Sequence, residues 1–396
     1  MSIKQPSKGP LSGLLVVALE QAIAAPYCTR LLADQGARVI KVERPDGGDF
    51  ARAYDSRAKG QSSHFVWCNR SKESLTLDLK KTGAVPVLKQ LISGADIFVA
   101  NLAPGALARL GLGSDALLEE NPGLIACEIS GFGSGGPYDG KKAYDLLIQA
   151  EAGFLSITGT EENAAKSGIS IADIAAGTQA YQAILAALLQ KARTGKGDRI
   201  EVSMLEALSE WMGYPLYFAS DGAAPPPRTG AAHASIFPYG PFKTADGEIL
   251  FGLQNDREWR AFCETVLKAP KMANDPRFVG NAGRNRHRDE IQAQIDRRFA
   301  KLTTAEATAG LEAANIGTGV LRTMADVWAH PQLAARQRWQ PIGTQGGAIP
   351  ALKPLTGEGW DGVMGDVPAL GADSRKILDE LGISRTVQQE ICGENV

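Results

Sequence analysis

Carboxylates serve as covalent nucleophiles when they are held ionised, and Asp173 has a setting suited to that role. It stands in GISIADIAAGTQ, between an apolar run (Ile169, Ile171, Ala172) and the start of a long helical stretch. A helix dipole at that point favours the ionised form. The same position suits a plain N-cap, whose side chain satisfies free backbone N–H groups. The residues alone leave both readings open. The four histidines (His64, His233, His287, His330) are isolated from one another, and His287 sits in RNRHRDE, a solvated charged face. His233 differs in lying on a Gly-rich linker, where ligand clefts commonly form. Five scattered cysteines with no CxxC pair argue against a zinc knuckle and a disulfide framework. No metal site is expected, and reduced thiols fit best.

A dinucleotide site needs glycines in the first strand-to-helix loop so that backbone can approach a pyrophosphate. That loop here is EQAIAAP (20–26), without a glycine. GFGSGG (131–136) fits GxGxxG formally, but runs into PYDG rather than opening a helix. The chain holds no GxxxxGK[ST], HExxH or GxSxG, which removes the P-loop, zincin and α/β-hydrolase readings.

The elements that must position these residues alternate. LLVVAL (14–19), RVIKVE (38–43), DIFVANL (96–102), LIACEIS (124–130) and RIEVSM (199–204) read as buried strands. Helical stretches near 82–93, 104–110, 114–121 and 173–191 separate them, and a further helix starts near Pro26. Such alternation predicts βαβ units and a parallel, doubly wound α/β sheet. At about 150 residues per domain, 396 residues suggest two or three domains. DGAAPPPRTGAAHAS (221–235) reads as a linker and PYGPFKTADGEILFGL as a hairpin in a smaller second domain. A net charge of −2 gives no field for nucleic acid or an anionic membrane. The longest uncharged stretch, 174–190, falls short of the ~20 apolar residues a span needs. With no secretory signal in MSIKQPSKGPLSG, a cytoplasmic location is expected.

The segments ARVIKVERPDGGDFAR, WCNRSKESLTLDLKK, DIFVANLAPGALARLG, ISGFGSGGPYDGKKAYDLLIQAEAG and GISIADIAAG stand in this order. Together they resemble the family III CoA-transferases, the group of formyl-CoA transferase and carnitine CoA-transferase, and look closest to its mesaconyl-CoA branch. The resemblance implies a Rossmann-like large domain built by both chain ends, with a smaller α+β domain inserted and an interlocked homodimer. The expected division is 1–220, 221–330 and 331–396, the last returning to the large domain. It implies that Asp173 is the catalytic aspartate, attacking an acyl-CoA to give a mixed anhydride and then an aspartyl-CoA thioester. Gln21, Ala22 and Ile23 match positions flanking the thioester and pantetheine. Arg44, Leu77, Lys80, Asn101, Arg109, Lys142 and Tyr144 match CoA-binding positions, and CoA enters as a substrate rather than a tightly bound cofactor. Those cations suit its 3′-phosphate and pyrophosphate.

The chain also departs from the formyl-CoA transferase pattern. Ser130 stands for a lysine, Leu102 for a phenylalanine, and GAAHAS (230–235) for a shielding glycine run. The last departure argues against oxalate as acceptor. A branched C4–C5 dicarboxylate such as mesaconate, itaconate, citramalate or succinate is expected instead, transferred within one molecule or between two. Its distal carboxylate needs a cation when buried, with Arg52, His233 and Arg322 as candidates. The alternative is an α-methylacyl-CoA racemase, which needs two acid–base groups across the α-carbon. The racemase relatives carry a histidine before the aspartate of AYD, where this chain has Tyr144.

Overall fold

The computed structural model describes residues 9–392. They form two units: one reaching to Gly153 and adding Ser167–Gly213 and the chain from Gln332 on, the other comprising Phe154–Lys166 and Tyr214–Pro331.

The first unit is built on six parallel strands: β1 (Leu15–Leu19), β2 (Arg38–Glu43), β3 (Lys72–Thr76), β4 (Ile97–Ala100), β5 (Ile125–Ser130) and β6 (Asp198–Ser203). Their order is β3-β2-β1-β4-β5-β6. Val16 of β1 pairs with Val39 on one side and Ile97 on the other. All residues of β1 and β4 are buried, as parallel strands covered by helices on both faces must be. Chain order reverses between β1 and β4, and in open α/β sheets ligands bind at such a reversal, beyond the carboxyl ends of the strands.

Strand β3 has no counterpart among the strands read from sequence, because KESLT opens with two charges. Lys72 is nonetheless buried, its ammonium 2.6 Å from Glu20. One face of the sheet packs Leu15, Val17, Ile40 and Phe98 against Leu88 and Leu91. The C-terminal segment returns to this core through Ile377, Leu378 and Ile391. Ser374 accepts the Thr76 N–H at 3.0 Å, which joins the two chain ends along β3.

Three helices matter for the site: α1 (Ala24–Asp34), α2 (Asp145–Glu151) and α3 (Ile171–Thr194). Helix α3 stops where Gly195 turns left-handed at φ 73°, a conformation open to glycine without steric penalty. The GFGSGG segment lies outside any helix. In the second unit β7 (Tyr239–Lys243) and β8 (Glu248–Gly252) form the expected antiparallel hairpin. It packs an aromatic core, with Phe242 and Phe251 stacked at 4.4 Å. All five cysteines are buried and unbridged. Among the described residues no helix is long and apolar enough to cross a membrane.

Candidate active site

Asp173 is the third residue of α3, and the N-cap is Ser170, whose side chain caps nothing. The capping is done from outside. Asp145, the first residue of α2, accepts the N–H of Ala172 at 2.8 Å and of Asp173 at 3.3 Å. Buried Gln149 donates to the other Asp145 oxygen at 2.7 Å and accepts the Ser167 N–H at 2.8 Å. Asp145 therefore meets the need for an acceptor at the helix start. The Asp173 carboxylate is left half-buried and free for other work.

The backbone N–H of Ala24, at the start of α1, favours the ionised form of that carboxylate. The approach depends on Gly177, one turn further along α3. A Cβ there would lie 2.5 Å from the Ala24 carbonyl oxygen and 3.2 Å from the Tyr27 ring. Burial raises the Asp173 pKa, the neighbouring Asp145 charge raises it further, and the Ala24 N–H opposes both; the outcome is about 7. Tyr54 lies within electrostatic reach. Burial, then the charges of Asp49 and Asp173, push its phenol up to about 12.

The loop ahead of α1 is pinned at each residue. Asn101 Oδ1 accepts the Gln21 N–H and its Nδ2 donates to the Gln21 carbonyl, both at 2.8 Å. The Asn101 amide thus fixes the loop geometry. Ala22 adopts φ 62°, unusual for a residue with a Cβ, and its N–H donates to Asp49 at 3.0 Å. Ile23 is buried, and its backbone opens α1.

Beyond the strand ends lies a cleft of about 230 Å³ lined by Leu19, Gln21, Arg44, Leu77, Lys80 and Leu102, among others. It gathers four of the positions matched to CoA binding or to the thioester: Gln21, Arg44, Leu77 and Lys80. Leu77 forms apolar wall, while Arg44 and Lys80 are exposed cations at the rim, the donors a phosphate requires. Arg109, Lys142 and Tyr144 are exposed on the same unit without lining this cleft. Arg109 ends a short helix after β4, and Tyr144 immediately precedes α2.

Arg52 has partners within its own unit. Its guanidinium grips both oxygens of buried Glu43, at 2.8 and 2.7 Å, and stacks 3.8 Å over the Phe65 ring. Although burial raises the Glu43 pKa, the Arg52 bonds and the Lys41 charge bring it down to about 2. A bidentate pair of this kind occupies one edge of the fork, so Arg52 braces the β2 end through Glu43. His233, in the second unit, accepts the N–H groups of Ser235 and Ile236 on Nδ1 and stacks on Tyr239. Arg322 is exposed on that unit.

Asp145, Gln149, Tyr54, Asp49 and Gly177 were not singled out from the sequence. Two signals were available: the Asp145–Gln149 spacing of four, and a glycine four residues after Asp173, on the same helix face.

These features, a doubly wound sheet with a cation-rimmed cleft at its switch point and a carboxylate beside a pinned loop, suit a protein that handles a CoA thioester. The sequence profile described as CoA-transferase family III matches residues 11–374. The chain belongs to that family, and it is a CoA-transferase. It is 34% identical over 356 residues to an acetyl-CoA:oxalate CoA-transferase of Acetobacter aceti, covering 89% of this chain and 90% of that protein. To a succinyl-CoA:mesaconate CoA-transferase of Haloarcula marismortui it is 31% identical over 392 residues, covering 95% and 97%. A solved CaiB/BaiF family protein from Brucella suis superposes with a TM-score of 0.82 at 32% identity, covering 95% of this chain and all of that one.

Proposed function

We propose that this enzyme moves CoA from an acyl-CoA to a dicarboxylate through covalent intermediates on Asp173. The observation that carries the reading is the placement of that carboxylate: relieved of capping by Asp145, it stands by the Ala24 N–H at the start of α1, directly after the loop matched to the thioester. In the first step the ionised Asp173 attacks the thioester carbonyl, the C–S bond breaks, and CoA leaves as thiolate. The resulting acyl–aspartyl anhydride is attacked at the aspartyl carbonyl by the same thiolate. The donor acid leaves, and an aspartyl-CoA thioester remains. The acceptor carboxylate then displaces CoA from Asp173, and CoA thiolate attacks the acceptor carbonyl of the new anhydride. Acyl-CoA of the acceptor departs and the free carboxylate returns. Each step exchanges one acyl bond for another, as covalent catalysis by a carboxylate requires.

The dicarboxylate is supported by the relatives named for oxalate and mesaconate. Among the acids in that range, a branched C4–C5 acceptor of the mesaconate, itaconate, citramalate or succinate kind remains our choice. The cation for its distal carboxylate is proposed to be Arg52, His233 or Arg322, with Arg52 already bound to Glu43. Racemisation requires a second acid–base group opposite the first, and residue 144 is a tyrosine, not the histidine of the racemases.

The test is mesaconyl-CoA mixed with labelled free mesaconate. Label entering the thioester marks intermolecular transfer, and positional isomerisation without label marks an intramolecular one. A C4–C5 panel that is inert while carnitine turns over would end the dicarboxylate proposal. Deuterium entering the α-carbon in D₂O without any acceptor would replace it with racemisation.

A further inference from the structure

Beneath the thioester-flanking loop lies a chain of buried charges that the transfer chemistry does not use. Asp49, 2% exposed, accepts the Ala22 N–H at 3.0 Å and the Ala51 N–H at 2.9 Å on Oδ1. Its Oδ2 takes the Lys41 ammonium at 2.8 Å. Lys41, fully buried, also approaches Glu20 at 3.4 Å. Glu20 in turn takes Lys72 at 2.6 Å, and Lys72 donates to the Pro26 carbonyl at 2.9 Å. One end of this chain therefore grips Ala22, and the other grips the first turn of α1. Ala24, whose N–H reaches Asp173, lies between the two grips.

Ala22 at φ 62° occupies a region that a Cβ disfavours, and such residues persist only where the surroundings over-determine them. A hydrogen bond to a buried carboxylate that Lys41 also holds is a strong way to do so. We infer that Asp49 is a positioning residue: by holding Ala22 left-handed it aims the Ala24 N–H at the Asp173 carboxylate. The inference rests on the reading of Asp173 as nucleophile. Without Asp49 the loop relaxes toward right-handed backbone, and Asp173 loses the donor that favours its ionised form. Asp145 from α2 and Tyr54 from the segment after β2 also face Asp173, and both are retained in the variant.

The experiment uses the full-length enzyme and its CoA-thioester substrate. Asp49→Ala is expected to lower kcat about 100-fold, the scale of a small misplacement at a reacting centre. The acid limb of kcat/KM is expected to move to higher pH. In an Ala22→Gly background the same substitution should cost about tenfold less, because glycine adopts positive φ unaided. An equal loss in both backgrounds, or an unmoved acid limb, overturns the inference. Should Asp49→Ala not fold, Ala22→Val carries the test, since a β-branched side chain resists positive φ. The same upward shift is expected there, and an unshifted limb overturns the inference. Asp173→Asn separates the two failures. If it is inactive while the cycle shows no coupling, only the positioning role falls; if it is active, the nucleophile reading falls first.

Discussion

Asp173 carries a cost to the fold. Its pKa rises from 3.8 to about 7, by burial first and by the Asp145 charge second. Between those two values the folded chain binds a proton that the unfolded chain has released. Stability therefore falls as pH rises through that window, and the deficit is complete above about pH 7. Asp173→Asn removes the charge while keeping the shape. It should stabilise the protein at pH 8 by about 1–2 kcal/mol, a figure discounted for solvent screening of a half-buried group. At pH 4 the gain should vanish. Urea unfolding at the two pH values checks this, and a gain of equal size at both would contradict it. Arg52 shows another effect at this scale: a buried carboxylate fixes an arginine's position through a bidentate pair. Glu43 lies nine positions earlier on β2, and nothing in their spacing announces the pair.

Helix α3 can approach the start of α1 because Gly177 presents no side chain to the Ala24 carbonyl. Gly177→Ala puts a Cβ 2.5 Å from that oxygen, and since both partners are backbone, one helix must shift. Overpacking of this kind costs about 1–3 kcal/mol. The displacement of Asp173 from the Ala24 N–H should lower kcat about 100-fold. Wild-type kcat in a folded Gly177→Ala enzyme would show that the approach is unimportant. Most of the element pattern was legible because β1 and β4 are wholly apolar runs, and β2 and β5 keep runs such as Val39–Ile40 and Ile125–Cys127, in a parallel sheet where hydrophobicity and structure coincide. β3 was not, since its Lys72 and Glu73 look like surface until Glu20 and Arg38 are placed beside them. The candidate site divides in the same way. Asp173 stood out by its motif, and Gln21, Arg44, Leu77 and Lys80 meet in one cleft. Asp49, Tyr54 and Asp145 were hidden because they act across the fold on residues far away in sequence.

At the scale of the molecule, large apolar side chains stand open on the first unit: Ile169 at 58%, Leu189 at 64% and Trp211 at 47% exposure. On the second, Leu216 and Tyr217 do the same. We propose that a second copy of this chain covers some of these side chains in an interlocked dimer. Light scattering at micromolar protein should give twice 42.0 kDa. The dimer should also persist on dilution, since chains of this kind often lack a stable folded monomer. A clean monomer would contradict the arrangement. The claim on which everything else depends is the covalent one. The enzyme is incubated with its acyl-CoA donor, quenched with hydroxylamine or borohydride, digested, and mapped by mass spectrometry. The expected result is modification of the peptide containing GISIADIAAG at Asp173 alone, absent without donor and absent in Asp173→Asn. An enzyme that turns over with Asp173 never modified, and that keeps full activity as Asp173→Ala, would contradict the account.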